Sequence, residues 1–356
     1  MSKKKIFIIA PDFYGIDKSI CNAFKSLGFD VFLKNTRFNK VEAISLKLMN
    51  KFPIAKNILS QNVRFFLNKY NEEYIHLIKK AKPDILFIIK GETIFPDTIK
   101  LIKDEMKIPC VSYIWDSPFY SHDDQFVDNY RKNNFAEGMH LYDYIFIYDP
   151  YYVEELKKRG ITKVKYLPLA TDPNKYKRID FRQYETQKYD FDVCFIGSPY
   201  PNRIEILEGL REFKLGVFGD GWKGWHRLKK TPPYYKGKAV KEKVLKIYSS
   251  SKIVLNIHGT DATYGVNTRT FDIPACGAFE LVDYKQELEN LFKVEEEIVC
   301  YKDVVDLKRL IKFYLNRPEV RHKIAEKGKT RVLNCHTWHH RMKEVIDILN
   351  NIGLTC

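Results

Sequence analysis

Short, nearly continuous apolar runs recur along the chain, and between them apolar residues return every three or four positions. Runs of this length predict strands that are buried on both faces, and the wider spacing predicts amphipathic helices. The run "KIFIIAP" (5–11) and a helix over 17–27, which Gly28 ends, are the first such pair. Because strands alternate with helices, we predict parallel βαβ units and an α/β fold.

The predicted strands form two groups, separated by the polar and aperiodic stretch 173–190. The first group comprises 5–11, 30–35, 84–90, 110–115, 144–149 and 164–169, and the second comprises 191–197, 215–219, 252–259, 278–282 and 297–303. A chain of 356 residues is long enough for two domains. We therefore expect two Rossmann-like, doubly wound parallel sheets with a central cleft between the carboxyl ends of their strands.

Composition narrows the class of protein. No apolar run reaches the roughly 18 residues of a membrane-spanning helix, and the run after the first lysines is too short for a signal peptide. The 7 cysteines are scattered without a CxxC pair, so we expect reduced thiols, no zinc site and a cytoplasmic protein. Neither GxGxxG after the first strand nor GxxxxGK[ST] is present, which disfavours a dehydrogenase or a P-loop enzyme.

The net charge of +15 leaves two interpretations open: anionic partners such as nucleic acid, phospholipid or a phosphorylated substrate, or a lysine-rich composition without a specific partner. Segment 36–70 is basic with interleaved apolar residues, and its only acid is Glu42. Such a helix would either touch an anionic membrane surface peripherally or present a solvated face over a core, and we prefer the second reading. No nucleic-acid-binding module is recognisable.

Polar residues gather where the predicted strands end, most densely in "NIHGTDATYGVNTR" (256–269). Ligands bind at such ends in open α/β sheets. Free N–H groups at the start of a helix over 268–276, together with Arg269, would bind a diphosphate, and Gly265 would let the backbone approach it. Asp272 would accept hydrogen bonds from ribose hydroxyls. Three of these residues also have a purely structural explanation. Gly265 would then only form a turn, His258 would be a buried histidine whose hydrogen bonds are all made within the protein, and Asp272 would only complement the helix dipole.

At this point the sequence resembles a known family, the CgeB-like (spore-maturation-like) glycosyltransferases of the GT-B fold. The resemblance is carried by "DVCFIGSPYPNR", "LGVFGDGW", "SSKIVLNIHG", "VNTRTFDIPACGAFELVDY", "LFKVEEEIVCYKD" and "HTWHHRM", from about residue 191 to the end. The N-terminal half matches more loosely, through "PDILFIIKGE", "SYIWDSPF" and "YLPLATDP". The resemblance implies an acceptor-side domain, 1–175, onto which the C-terminal helix 338–356 crosses back, and a sugar-nucleotide domain, 176–337.

The resemblance also implies roles for single residues. "DIPACG" places Asp272 where related retaining enzymes bind the donor ribose, but Tyr264 stands where they carry a second acid. Asp272 and Glu280 have the acid-x7-acid spacing that such enzymes show. We nevertheless interpret Glu280 as lying in the strand past the helix, on the wrong side of the pocket. The predicted donor-binding residues are Gly197, Asn202, Arg203, Gly219, Asn256, His258, Tyr264, Gly265, Val266, Asn267, Arg269 and Asp272.

An inverting reaction would need a general base from the N-terminal domain. Asp116 is the first candidate because it follows an apolar strand, although a turn residue before a proline is an equal alternative. No DxD-like metal-binding motif stands out. Arg203, Arg269 and the backbone of residues 265–267 would therefore stabilise the leaving diphosphate without a metal ion. The predicted catalytic residues are Asp116, His122 and Asp12, and the predicted acceptor-side residues are Gly15 and Glu92.

These observations predict a metal-independent glycosyltransferase that uses a nucleoside-diphosphate sugar, with a UDP-sugar as first choice. The acceptor would be a polysaccharide, a lipid-linked molecule or a protein. Two alternatives stay open: a sugar-nucleotide epimerase or hydrolase on the same fold, and a nucleic-acid-directed transferase or binding protein that uses the basic surface. Nucleic-acid binding would weaken steeply with salt, whereas specific donor binding would not.

Overall fold

The computed structural model describes residues 3–36, 56–119, 134–179, 188–223, 231–260 and 262–354, with side chains from residue 64 onward in the second of these ranges. The chain divides into two compact units. The N-terminal unit comprises Met1–Pro168 and Trp338–Cys356, and the C-terminal unit comprises Leu169–Thr337. The boundary predicted after residue 175 lies a short way past this division.

The N-terminal unit is built on one six-stranded parallel sheet. Its strands are β1 (Lys5–Ala10), β2 (Asp30–Asn35), β3 (Ile85–Ile89), β4 (Cys110–Ile114), β5 (Tyr144–Ile147) and β6 (Val164–Tyr166), and its helices before the division are α1 (Ile16–Ser26), α2 (Lys56–Ala81), α3 (Pro96–Asp104) and α4 (Pro150–Lys158), with a short 3₁₀ turn at Met139–Leu141. β3 and β4 are buried along their whole lengths, as their continuous apolar sequences require. The strand order is β2-β1-β3-β4-β5-β6, so the winding reverses between β1 and β3.

The C-terminal unit repeats this plan with five parallel strands. Its strands are β7 (Val193–Ile196), β8 (Leu215–Phe218), β9 (Ile253–Asn256), β10 (Glu280–Asp283) and β11 (Val299–Tyr301), and its helices are α5 (Pro201–Glu208), α6 (Glu242–Ser250), α7 (Arg269–Ala275), α8 (Leu288–Leu291), α9 (Val304–Leu315) and α10 (Pro318–Cys335). The order β11-β10-β9-β7-β8 places the reversal between β7 and β9. In sheets of this kind the crevice outside the reversal point is the usual ligand site.

The last helix, α11 (Trp338–Asn351), belongs to the N-terminal unit and packs against α1. Trp338 is buried, with its ring centroid 6.2 Å from that of Trp115. Arg341 is also buried and donates from Nε to the Pro168 carbonyl at 2.9 Å. Aromatic packing and one charged hydrogen bond therefore hold this helix to the unit in which the chain begins.

The strands observed in the structure fall within the predicted runs or within one residue of them. The predicted helix over 268–276 is α7, and the predicted final helix is α11. The basic segment 36–70 is described only in part: 37–55 lies outside the described residues, and the rest belongs to α2. The prediction of a peripheral membrane contact through this segment therefore stays a prediction.

Candidate functional site

The reversal point of the C-terminal sheet lies between the carboxyl ends of β7 and β9. The loop residues described after these strands, 197–200 for β7 and 257–260 and 262–268 for β9, lead to the helices α5 and α7. We call the space flanked by these two loops the C-terminal crevice. Most of the predicted donor-binding residues lie on these loops or at the starts of the two helices. The strand order therefore brings together residues that are up to about 75 positions apart in the sequence.

Arg269 joins the ends of β7 and β9. Its guanidinium donates from Nη1 to the Ile196 carbonyl, from Nη2 to the Ile257 carbonyl and from Nε to Asn256 Oδ1, at 3.0–3.1 Å. Its planar fork is suited to this use, because several N–H groups point to separate acceptors at once. The predicted direct contact of Arg269 with a diphosphate is thus not its main structural role, although its charge stays beside the crevice.

Arg203 is a second cation at the same place and is only 4% exposed. It donates from Nε to the Ile257 carbonyl at 3.1 Å and from Nη1 to the Ser198 carbonyl at 3.2 Å, and it packs over the Tyr200 ring at 4.5 Å. Both guanidiniums therefore share one acceptor, the Ile257 carbonyl. Two fixed positive charges next to one crevice create a potential that attracts an anionic ligand.

A network of polar side chains lies behind Arg269. Asn256, which ends β9, exchanges two hydrogen bonds with Asn267, at 3.0 and 3.2 Å, and donates to Thr270 at 3.1 Å and to Glu280 at 2.8 Å. Glu280 is 3% exposed, and its second carboxylate oxygen has no partner among the described residues. The pairing of β9 with β10 brings Glu280 to Asn256, one of the predicted donor-binding residues.

Asp272 lies one turn into α7 and is buried. Its Oδ1 accepts a 2.7 Å hydrogen bond from the Thr171 hydroxyl, a partner that no sequence pattern indicates. Burial raises the pKa of Asp272 to about 8, although the Thr171 hydrogen bond and the charge of Arg269 oppose this shift. Oδ1 of Asp272 is therefore already hydrogen-bonded, so the predicted contact with ribose would have to be made by Oδ2.

His258 is also buried, and an acid holds its ring. Its Nδ1 lies 2.7 Å from Asp283 Oδ1, which also accepts from the His258 main-chain N–H at 2.9 Å. Burial alone would raise the pKa of Asp283, but the charge and hydrogen bonds of His258 outweigh it and lower that pKa. His258 Nε2 has no partner among the described residues, so these residues satisfy only one of the two ring nitrogens.

Asn202 lies beside this pair at the start of α5. Its side-chain amide donates to the His258 carbonyl at 3.2 Å, while its own Oδ1 is buried without a partner among the described residues. An unpaired buried polar atom costs about 1–3 kcal/mol, so two such atoms in one place point to a ligand or water that completes them. Asp283 was missed in the sequence, although it ends the apolar run "FELVD" just as Asn256 ends its own strand.

The expectation of free N–H groups at the start of α7 is wrong for residues 270–272. The Thr270 N–H lies 3.2 Å from the Asn267 carbonyl, and the N–H groups of Phe271 and Asp272 each donate to the Thr268 carbonyl at 2.9 Å. The helix has only 7 residues, so its dipole is weak as well. The positive character of the crevice therefore comes mainly from Arg203 and Arg269.

Gly197 and Gly219 have a packing role at the ends of β7 and β8. A Cβ at Gly219, whose φ is +139°, would lie 2.2 Å from the Gly197 carbonyl oxygen. That same carbonyl accepts the indole N–H of the fully buried Trp222 at 2.8 Å. The two glycines thus let two strand ends approach each other, and their predicted contact with the donor stays a prediction.

The remaining predicted donor residues lie on the loop after β9. Tyr264 is 41% exposed, whereas Gly265 and Val266 are buried. The exposed ring of Tyr264 therefore stands where related enzymes carry an acid.

In the N-terminal unit, the predicted catalytic residues Asp12 and Asp116 and the predicted acceptor-side residues Gly15 and Glu92 follow the carboxyl ends of β1, β3 and β4. Asp116 forms an ion pair with Lys90, with 43% of its side-chain surface exposed. Asp12 is exposed, and Gly15 and Glu92 are partly exposed in the neighbouring loops. Lys90 is bonded to one carboxylate oxygen of Asp116, so use of that oxygen as a general base would require Lys90 to move. His122 lies outside the described residues.

Within the described ranges no helix is long and apolar enough to cross a membrane. In the same ranges no three His, Cys, Asp or Glu side chains come together in a way that could hold a metal ion. The predicted metal independence stays a prediction.

The buried carboxyl of Glu280 predicts how stability depends on pH. Burial raises its pKa to about 8, against the hydrogen bond from Asn256 and the charge of Arg269. The folded chain thus keeps a proton that the unfolded chain releases above its ordinary pKa of 4.5, and stability falls as pH rises from there to about 8. Glu280→Gln keeps the acceptor oxygen but cannot ionise. We expect urea titrations between pH 5 and 8 to show a slope less negative than wild type by about 1.4 kcal/mol per pH unit.

Glu319→Gln is the matched control, because Glu319 is exposed in the same unit. It should leave the slope unchanged. Equal slopes for Glu280→Gln and wild type would contradict the burial of a protonated Glu280.

The sequence profile of a family described as "Glycosyl transferase-like" matches residues 203–347. Among curated proteins, the spore protein CgeB of Bacillus subtilis (strain 168) is 25% identical over 286 residues, which cover 72% of this chain and 80% of CgeB. The profile thus covers most of the C-terminal unit together with the start of α11.

Several solved structures share the fold at low sequence identity. Sucrose-phosphate synthase from Thermosynechococcus elongatus has a TM-score of 0.67 at 12% identity, over 99% of this chain and 100% of that one. HepE from Anabaena, in complex with UDP-glucose, has a TM-score of 0.64 at 10% identity, over 98% of this chain and 99% of that one. A UDP-forming trehalose-phosphate synthase from Burkholderia vietnamiensis has a TM-score of 0.65 at 13% identity, over 98% of this chain and 100% of that one.

The predicted GT-B architecture of two parallel-sheet α/β domains is confirmed. The predicted resemblance to CgeB-like proteins is confirmed as well, and the profile match supports the predicted enzyme class, a glycosyltransferase.

Proposed function

We propose that this CgeB-like glycosyltransferase binds the diphosphate of a nucleotide sugar in the C-terminal crevice and passes the sugar to an acceptor held by the N-terminal unit. The observation that carries the proposal is the convergence of Arg203, Arg269 and His258 Nε2, which has no partner among the described residues, at the reversal point between β7 and β9. A diphosphate supplies negative charge for the guanidiniums, and its oxygens accept from the Nε2–H of the doubly protonated His258, whose Nδ1–H is bonded to Asp283.

The chemistry follows from this arrangement. Glycosyl transfer breaks the bond between the anomeric carbon and the diphosphate, so negative charge builds on the leaving oxygen while the sugar becomes oxocarbenium-like. Positive groups fixed before the reaction stabilise that charge without reorganising. Arg203 and Arg269 are fixed by main-chain carbonyls, and Asp283 orients His258 so that Nε2 is left for the ligand. We propose that these groups act without a metal ion.

A UDP-sugar is the first donor to test, because UDP-glucose is bound by HepE, whose fold is similar. Asp272 is proposed to hold the ribose through the oxygen that Thr171 does not use. The acceptor is proposed to lie at the carboxyl ends of β1, β3 and β4.

A thermal-shift screen with UDP, GDP, dTDP and ADP and their glucose conjugates tests the proposal. We expect UDP and UDP-glucose to raise the midpoint of the wild-type chain, and added EDTA to leave the shift unchanged. Asp272→Ala should bind at least fivefold more weakly, since it removes the carboxyl oxygen proposed to bond the ribose. A chain that no nucleotide stabilises would contradict the proposal, and loss of the shift in EDTA would contradict metal independence.

A further inference from the structure

The loop between β1 and α1, residues 12–15, exposes two adjacent aromatic rings. Phe13 is 45% and Tyr14 is 71% exposed, and their centroids lie 4.8 Å apart with the planes at 76°. We call this segment the aromatic loop. Large aromatic side chains contribute most to stability when they are buried, so a contiguous exposed pair at a strand end marks a contact surface for a ligand or partner.

The aromatic loop is held rigidly in a strained conformation. Tyr14 has φ +50° and Gly15 φ +72°, although a bulky residue rarely adopts the left-handed region. The Phe13 carbonyl accepts from Ile16 N at 3.0 Å, and the Gly15 carbonyl accepts from both N and Oγ of Ser19 at 3.2 Å. These hydrogen bonds stabilise the turn that carries the rings, and backbone strain of the kind seen at Tyr14 gathers at functional sites.

A polar pair lies directly beside the rings. β3 neighbours β1 in the sheet, and Lys90, which follows β3, also has a left-handed backbone at φ +68°. Its ammonium lies 5.7 Å from the centre of the Phe13 ring and pairs with Asp116. This is the point between β1 and β3 where the winding of the N-terminal sheet reverses, which is the expected position of a ligand crevice.

The combination matches a sugar ring better than other acceptors. A pyranose has faces of polarised C–H groups, which are attracted to the negative face of an aromatic ring, and an edge of hydroxyls, which hydrogen-bond to carboxylate and ammonium groups. An acyl chain would bury the Lys90–Asp116 ion pair in apolar surroundings without adding a hydrogen bond to it, at a cost. A short peptide would need backbone partners, and the two rings offer none.

We propose that the aromatic loop and the Lys90–Asp116 pair form a subsite for a carbohydrate acceptor, with a pyranose on Phe13 and Tyr14 and its hydroxyls on Lys90 and Asp116. This inference rests on the proposed function, because it names the acceptor class of the same reaction. It assigns Phe13 and Tyr14 to substrate binding, a role that their sequence does not indicate.

Saturation-transfer difference NMR on the full chain tests the subsite. The probes are the methyl glycosides of glucose, galactose, mannose and N-acetylglucosamine, each with UDP present. At least one glycoside should show transfer to its ring C–H protons. The double variant Phe13→Ala/Tyr14→Ala should reduce this transfer at least threefold, and Tyr14→Phe should retain it, since the ring and not the hydroxyl makes the contact.

Phe313→Ala is the matched control, because Phe313 is 40% exposed on α9 of the other unit. It should leave the transfer unchanged. The proposal is overturned if no glycoside responds, if the double variant responds as wild type does, or if the double variant instead loses co-sedimentation with phosphatidylglycerol vesicles. UDP binding by calorimetry separates the two claims, because the double variant should bind UDP as wild type does even if the subsite is wrong.

Discussion

Gly219→Ala should destabilise the C-terminal unit by about 2–5 kcal/mol and abolish detectable UDP binding. Two costs add at this position. The φ of +139° is open almost only to glycine, and the new Cβ would lie 2.2 Å from the Gly197 carbonyl oxygen. Backbone cannot give way as a flexible side chain can, so the ends of β7 and β8 would have to move apart.

That movement would reach the crevice directly. Gly197 follows Ile196, whose carbonyl accepts from Arg269 at 3.1 Å, and Gly197 itself accepts from Trp222. Displacing the end of β7 therefore releases the guanidinium that lies beside the proposed diphosphate. Urea unfolding and UDP calorimetry on the same preparation measure both effects.

The variant Gly277→Ala measures the cost of a left-handed backbone conformation alone, without any displacement of the strand ends. Gly277 also has a left-handed φ, +65°, but a Cβ there would meet its neighbours at an ordinary 3.5 Å. It should lose only about 1 kcal/mol, the cost of the backbone conformation, and keep UDP binding. If Gly219→Ala were as stable as Gly277→Ala, the close approach of the two strand ends would not be a feature of the molecule.

Arg269→Lys should weaken UDP binding about 10- to 100-fold, with a loss of about 2–4 kcal/mol in the free energy of unfolding. The charge is retained in this variant, but one ammonium cannot reach Ile196, Ile257 and Asn256 together, as the guanidinium does. At least one acceptor would then remain buried and unpaired. Calorimetry gives the affinity, and denaturant titration gives the stability.

The control is Arg309→Lys on α9 of the same unit. Arg309 is 68% exposed and pairs with Asp306, so the same chemical change should cost well under 1 kcal/mol and leave UDP binding intact. If Arg269→Lys bound UDP as wild type does, positive charge alone would suffice, and the fixed fork at the end of β7 would have no role in binding.

The strands and their grouping could be predicted because each is a short apolar run with no competing period. β3, "ILFII", is buried at every position, as its sequence requires. The strand order was not predictable from these runs, since nearly identical runs could pair in several ways. The crevice depends on that order, because only the reversal between β7 and β9 brings Arg203 and Arg269 to one carbonyl.

The site was predicted in outline and differs in its bonding. The residues selected at the ends of β7 and β9 do come together in the structure, and applying the same rule to the end of β10 would have identified Asp283. The partner of Asp272 was out of reach, because Thr171 is about 100 residues away and no pattern marks it. Glu280 was set aside because it lies past the helix, on the side taken to be wrong for the pocket, whereas the pairing of Val282 with Asn256 brings it into the network.

Hydrogen–deuterium exchange with and without saturating UDP tests the central claim most directly, because it reports where on the chain the nucleotide binds. We expect slower exchange in peptides covering 196–203 and 256–272, the two sides of the C-terminal crevice. Peptides from α9 and α10 should be unchanged. UDP binding that leaves both crevice segments at their free exchange rates would contradict the account.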